Sequence, residues 1–168
     1  MLKDKTNDLL YLLSIIESVE KVLLYSKDSQ SAISFFDSNE QLNFNATLTL
    51  LMHIGETAGK LSDDLLEKST EIDWRKIRGL RHRIAHDYIA LDIVIIFNVV
   101  KDKLPDFLKA VYALTVTRLD EGILSTEELK LAVGSRYYRH IDFERFKNFS
   151  LLFYYLFFYT SSLLNLYK

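Results

Sequence analysis

The sequence predicts an all-α protein, an antiparallel helical bundle of four main helices with a C-terminal helical extension. Three observations favour this class. Apolar residues recur at steps of three and four in several long segments. No segment alternates apolar and polar residues between hairpin turns. The 168 residues include only five glycines and one proline, and 49% of them are apolar, which is typical of a compact domain and excludes a disordered chain.

The first two predicted helices are separated by a polar stretch. Helix one covers residues 9–23, where the apolar positions mark one face. Residues 26–45 are rich in Ser, Asp and Asn, which predicts a loop with room for a turn of helix. Helix two covers residues 48–66. Its Gly55 and Gly59 lie four apart on one face and favour the close approach of another helix.

The third and fourth helices follow a short connection. Helix three covers residues 73–88, with Asp73 as the cap of its first amides. Helix four covers residues 92–119 and contains Pro105, the only proline. Proline lacks an amide hydrogen and clashes with the preceding turn, so this helix must kink or restart there, with Asp102 as a candidate cap.

The composition of the chain changes at residue 120. We therefore divide it into residues 1–119, a helical domain, and residues 120–168, an extension of unknown role that opens with a helix capped at Ser125. Residues 149–167 carry no charge, and their length lies within the range of about 17–25 residues that spans a membrane. Because Ser, Thr, Asn and Tyr interrupt this run, we expect a buried or dimer-facing helix rather than a membrane anchor.

The overall charge and the absence of cysteine restrict the chemistry. Twenty-one Lys and Arg against 23 Asp and Glu give a net charge of −2, which excludes coating of nucleic acid by bulk charge but allows a local basic patch. Without cysteine there is no disulfide, no thiolate nucleophile and no Cys-based zinc site. This composition favours the reducing cytoplasm, and we expect neither a metal nor a cofactor.

Residues 73–88 hold five Lys or Arg and two His between two aspartates, with no acid inside. A projection at 100° per residue separates apolar from basic side chains, except that Arg81 falls within the apolar sector. A guanidinium there is costly unless it is paired or lies at an interface. A structural ion pair with Glu56 or Asp87 and a catalytic role are both compatible with Arg81. The apolar sector holds Trp74, Ile77, Leu80, Ile84, Ala85 and Tyr88, and the basic sector holds Arg75, Lys76, Arg78, His82, Arg83 and His86.

Arg81 and His86 are the candidate catalytic pair. They are five residues apart and diverge by about 140° on an ideal helix, too far for one phosphate to meet both without distortion of the helix. Either the helix ends near His86, or two chains build the site. A symmetric homodimer would place an Arg and a His from each subunit around one cleft.

Arg81, four further residues, His86, one residue and Tyr88 form the RX4HXY signature of the HEPN superfamily. With its flanks, from residue 6 to residue 119, the chain resembles the HepT branch of toxins. The resemblance implies a helical bundle that dimerises and cleaves RNA without metal, with Arg81 and His86 at the dimer cleft. His82 stands where this branch most often has Asn, which does not exclude activity.

The resemblance also implies a partner, an MntA-like nucleotidyltransferase antitoxin that transfers AMP from ATP onto the motif tyrosine, here Tyr88. The cations predicted to contact the RNA substrate are Arg75, Arg78, His82 and Arg83. A second hypothesis is a non-catalytic interaction module that binds such a partner or RNA without cutting it.

A second basic and aromatic cluster lies in the extension. Its side chains could stack RNA bases and contact phosphates, or they could pack in the core. The cluster consists of Tyr137, Tyr138, Arg139 and His140.

Overall fold

The computed structural model describes residues 7–86 and 91–146 of the chain. Within these ranges every regular element is helical and no strand occurs, which confirms the all-α class. A π-helical turn spans Val99–Lys103, and short 3-10 turns span Arg136–Tyr138 and Phe143–Phe146. The helices are α1 Asp8–Ser26, α2 Ala32–Asp37, α3 Leu42–Ala58, α4 Asp63–Glu67, α5 Trp74–His86, α6 Ile93–Asn98, α7 Leu104–Asp120 and α8 Thr126–Ala132.

Helix α3 lies at the centre of the bundle. It packs along α1 on one side and along α5 on the other, and α7 packs on α1. The helices meet in one apolar core, in which each fully buried aliphatic side chain contributes about 1.5–3 kcal/mol relative to exposure. This arrangement leaves α5 at the edge of the bundle with a free face. Fully buried members of the core include Leu12, Leu13, Ile16, Leu48, Ile54, Ile84, Val100 and Val111.

The polar stretch between α1 and α3 contains more helix than the sequence predicts. Helix α2 is stabilised by a capping box, in which Ser31 Oγ accepts from the Ser34 amide at 3.1 Å and Ser34 Oγ accepts from the Ser31 amide at 3.0 Å. Phe35 anchors this helix in the core with no exposed surface. The capping box and the buried Phe35 together stabilise this short helix within a polar segment.

The prediction of one helix over residues 48–66 is wrong at both ends. Helix α3 begins at Leu42 and ends at Ala58, with Gly59 as its C-cap. A separate helix, α4, begins after Ser62, whose Oγ accepts from the amide of Leu65 at 3.2 Å. Ser62 in turn donates to the buried Asp8, so the break is held by side-chain hydrogen bonds.

The predicted interruption of helix four at Pro105 is confirmed. Helix α6 is capped by Asp92, whose carboxylate accepts from the Val94 amide at 2.7 Å. Helix α7 restarts at Leu104, so Pro105 lies in its first turn, where a missing amide hydrogen has little cost. The proposed cap at Asp102 is wrong, because the N-cap position is Lys103 and no side chain caps this helix.

The described part of the extension packs on the bundle. Ser125 caps α8 as predicted, accepting from the Glu128 amide at 3.2 Å. Apolar residues beyond position 120, such as Leu129 and Ile141, belong to the same core. The division at residue 120 stays a prediction.

The uncharged run over residues 149–167 lies outside the described residues. Among those that are described, no helix combines the length and apolarity needed to cross a membrane.

Candidate functional site

The first turn of α5 is fixed by two polar contacts. Asp73 accepts from the Lys76 amide at 3.0 Å and also pairs with its ammonium. These hydrogen bonds from Lys76 hold the pKa of Asp73 below its ordinary value. Next to it, Trp74 donates from Nε1 to Ser69 Oγ at 2.8 Å and packs edge-on against Phe107. The start of α5 is therefore anchored to both the preceding loop and α7.

The two predicted faces of α5 are present. Trp74 and Ile84 are buried, and Ile77 and Leu80 are half-buried against the core. Ala85, predicted on the apolar side, is exposed, because the bundle covers a narrower stripe of this helix than the projection implies. The exposed face carries all the predicted RNA contacts, Arg75, Arg78, His82 and Arg83, together with Lys76 and His86.

Arg81 does not lie on this exposed face, because its side chain packs against α3. Its guanidinium forms an ion pair with Glu56, one of the two partners that the sequence suggests, and 37% of its side chain is exposed. The stem of Arg81 fits here because Gly55 has no side chain. A Cβ built on Gly55 would overlap the Cβ of Arg81 and lie 3.0 Å from its Cγ. The close helix approach predicted for Gly55 is thus confirmed, whereas a Cβ built on Gly59 would have no atom of another helix within 4 Å among the described residues.

His82 and His86 form a pair on the exposed face. Their ring centroids are 4.2 Å apart, as expected for residues one turn apart on a helix. The other two histidines are engaged elsewhere: His53 Nε2 lies 2.8 Å from Ser14 Oγ, and His140 is bound to Glu17. Within the described ranges neither the His82 ring nor the His86 ring has a hydrogen-bond partner.

The sequence model of the family described as "Ribonuclease HepT-like" matches residues 13–114, more than half of the chain, including both Arg81 and His86. The chain belongs to the HepT-like ribonuclease family.

Several curated proteins are similar to this HepT-like chain. One from Methanocaldococcus jannaschii, provisionally named an RNase, is 29% identical over 101 residues, which cover 60% of this chain and 90% of that protein. A second from the same organism, with the same kind of name, is 25% identical over 101 residues, covering 60% and 81%. One from Thermococcus cleftensis, provisionally named ribonuclease HepT, is 25% identical over 95 residues, covering 56% and 84%. No solved structure matches significantly.

The motif residues of the HepT-like chain are not all brought together within one copy. Arg81 contacts α3 through Glu56, while His86 lies on the exposed face beside His82. No hydrogen bond or ion pair joins Arg81 to His86 in the described part of the chain. Tyr88 and Asp87 lie outside the described residues. The catalytic assignment of Arg81 and His86 therefore stays a prediction.

One feature of the surroundings could not be predicted from the sequence. A groove of about 480 Å³ lies between α5 and α7, with Leu80 and Phe107 in its wall and Lys76 and Lys103 at its rim. Its walls come from segments about 30 residues apart, so no local pattern indicates it. The described residues contain no cluster of three or more His, Asp or Glu that could hold a metal ion.

Proposed function

We propose that this HepT-like chain is a metal-independent endoribonuclease, the toxin of a type VII-like toxin–antitoxin pair that acts in the cytoplasm. The observation that carries the proposal is the exposed face of α5. It presents His86 beside His82 among several cations, within the segment that matches the ribonuclease family. Such a face attracts RNA phosphates and places an imidazole next to them.

The residue types suit transesterification of RNA. An imidazole at His86 takes the proton of a 2′-hydroxyl, whose oxygen attacks the adjacent phosphorus while the bond to the 5′-oxygen breaks. The guanidinium of Arg81 stabilises the charge on the phosphorane. The imidazolium so formed, or the protonated His86 of the other copy, gives a proton to the leaving 5′-oxygen, so the products are a 2′,3′-cyclic phosphate and a 5′-hydroxyl. DNA, which lacks the 2′-hydroxyl, is not cut.

A homodimer resolves the separation of Arg81 and His86. Within one copy Arg81 pairs with Glu56 while His86 lies beside His82 on the exposed face, and residues five apart diverge by about 140° on a helix. Two α5 helices related by a two-fold axis would present an Arg and a His from each copy around one cleft. We propose this assembly as the active form.

Regulation would act through Tyr88. A nucleotidyltransferase antitoxin would transfer AMP from ATP to the phenol oxygen of Tyr88 and release pyrophosphate. The added phosphate would compete with RNA for Arg81 and the neighbouring cations, which turns the nuclease off.

The decisive experiment compares RNA cleavage in EDTA by wild type, His86→Ala and Arg81→Ala. Loss of a general acid–base group predicts a drop of about 10²–10⁴-fold in rate for His86→Ala. The matched control is Lys27→Ala, which removes an exposed cation outside α5. Cleavage that persists in His86→Ala would overturn the catalytic assignment.

The switch is tested separately by intact mass. After co-expression with the nucleotidyltransferase, wild type should gain one adenylate and lose cleavage, and Tyr88→Phe should gain none. An adenylate at another residue would contradict the proposal.

The second candidate function is a non-catalytic interaction module. The ion pair between Arg81 and Glu56 favours it, because it gives Arg81 a structural partner in the same chain. This module predicts that unmodified wild type cuts no RNA and that His86→Ala binds its partner unchanged.

A further inference from the structure

The loop that follows α8 has an unusual composition. Residues 134–141, here called the 134–141 loop, read GSRYYRHI and contain two arginines, two tyrosines and no acidic residue. The chain as a whole has a net charge of −2, so this loop is a local excess of positive charge. Proteins that bind single-stranded nucleic acid combine cationic and aromatic side chains in this way.

The loop lines an open depression of about 600 Å³ on the surface. Arg136 and Arg139 line it together with the apolar parts of Tyr138, Ile141 and Phe143. This volume lies within the range typical of small-molecule sites, and the wall combines cations with apolar surface. The two guanidiniums suit a phosphate, whereas Tyr137, which lies between them in the chain but outside this wall, offers its exposed ring to a base.

The groups that would bind are available. Tyr137 is 84% exposed, so the core does not use its ring. Arg136 and Arg139 are exposed, and neither forms an ion pair within residues 7–86 and 91–146. A guanidinium without a carboxylate partner is free to form a bidentate contact with a phosphate.

The backbone of the loop is held in place. Buried Glu17 of α1 accepts from the backbone amide of His140 at 2.9 Å and from its Nδ1 at 2.6 Å. Burial alone would raise the pKa of Glu17, but the hydrogen bonds from His140 and Lys21 hold it below its ordinary value. At the other end Ser135 Oγ accepts from the Tyr137 amide at 3.3 Å. A loop fixed in this way loses little conformational entropy when it binds.

The loop lies apart from the α5 face. Its turn at Arg136–Tyr138 contacts α1, whereas α5 packs against α3. The loop and α5 therefore pack on different helices, and the segment that matches the ribonuclease family ends before the loop begins.

We propose that the 134–141 loop is a second binding site for single-stranded RNA, with one base stacked on Tyr137 and phosphates held by Arg136 and Arg139. The inference takes its ligand class from the proposed function. Two sites on one chain raise the affinity for a strand that reaches both, since the second contact is intramolecular.

The test measures binding of a fluorescent 2′-fluoro oligouridine of about ten nucleotides, which cannot be cut, to the full-length protein. We expect about tenfold weaker binding for Arg136→Ala/Arg139→Ala and a shallower dependence of affinity on salt. Tyr137→Ala should also weaken binding, and Tyr137→Phe should restore it because the ring still stacks. Circular dichroism checks that each variant is folded.

The matched control is Lys27→Ala/Lys60→Ala, which removes two exposed cations away from the loop. Binding by the arginine variant as tight as by this control would overturn the inference. Cleavage of unmodified RNA is scored independently. A protein that binds through the loop but cuts nothing overturns the proposed function alone, and one that cuts but binds independently of the loop overturns this inference alone.

Discussion

Gly55 of α3 and Arg81 of α5 lie so close together that a β-carbon on residue 55 would overlap the Cβ of Arg81. This contact sets the distance between the two helices and carries the guanidinium of Arg81 to Glu56, the neighbour of Gly55 in the chain. The packing of α3 and α5 and the position of the candidate catalytic arginine therefore have one cause.

The first prediction concerns Gly55→Ala. The new Cβ would overlap Arg81 and lie 3.2 Å from the backbone oxygen of Ile77, so α5 must shift. We expect a loss of about 1–3 kcal/mol in the free energy of unfolding, which outweighs the helix propensity of alanine. Urea unfolding followed by circular dichroism measures it.

The control for this variant is Gly79→Ala on the exposed side of α5. Apart from its own helix backbone, no atom of the described residues lies within 4 Å of a Cβ built there, so only helix propensity changes. This variant should gain about 0.5–1 kcal/mol. Equal effects of the two substitutions would show that the helices are not in close contact at Gly55.

The second prediction concerns Glu56→Gln. Glu56 and Arg81 are both partly exposed, so the loss of their ion pair should change the free energy of unfolding by less than about 1 kcal/mol. Under the proposed function Glu56 is a positioning residue, and a misplaced Arg81 should lower kcat by about tenfold to a hundredfold. Binding of uncleavable RNA should not weaken, because an acidic group has been removed. Unchanged kcat would deny Glu56 this role.

The third prediction concerns the pH dependence of stability through Glu17. Its pKa in the folded protein is below the ordinary value of 4.5, so its ionised form stabilises the fold above that pH. This contribution is lost as the pH falls through the folded pKa. Glu17→Gln should therefore be less stable than wild type near pH 7, and the difference should shrink below about pH 4.5. Thermal unfolding across this range measures it.

Glu20→Gln is the matched comparison. Burial raises the pKa of Glu20 against the opposing effects of Tyr112 and Arg145, so its charge opposes folding near neutral pH. The difference between this variant and wild type should change with pH in the opposite sense to that of Glu17→Gln. The same trend for both variants would contradict the assignment.

The fourth prediction concerns Ser69→Ala. Ser69 is fully buried and accepts the indole hydrogen of Trp74, the only tryptophan. Its loss leaves a buried donor unpaired, and we expect a cost of about 1–3 kcal/mol. Tryptophan emission reports the unfolding of this region directly. Thr49→Ala, which removes an exposed hydroxyl bonded within its own helix, should change stability by less than about 0.5 kcal/mol.

The faces of α5 could be predicted because helical periodicity is a local property. Arg81 was recognisable as the exception, and the sequence reduced its partners to two. The sequence could not show that Glu56 is the partner, because that ion pair depends on the close packing of α3 and α5 at Gly55. Likewise, Glu17 and His140 are 123 residues apart, and no local pattern joins them. The break at Gly59 was missed because one glycine costs a helix only about 1 kcal/mol.

The π-helical turn Val99–Lys103 constrains the chain in another way. Its last hydrogen bond runs from the Leu104 amide back five residues to the carbonyl of Val99. Removal of one residue from this turn would rotate α7 by about 100° relative to α6 and carry Val111 from the core toward solvent. The exposed side chains of Asp102 and Lys103 tolerate replacement. At these two positions the identity of the residue matters less than its presence, because the number of residues in the turn sets the orientation of α7.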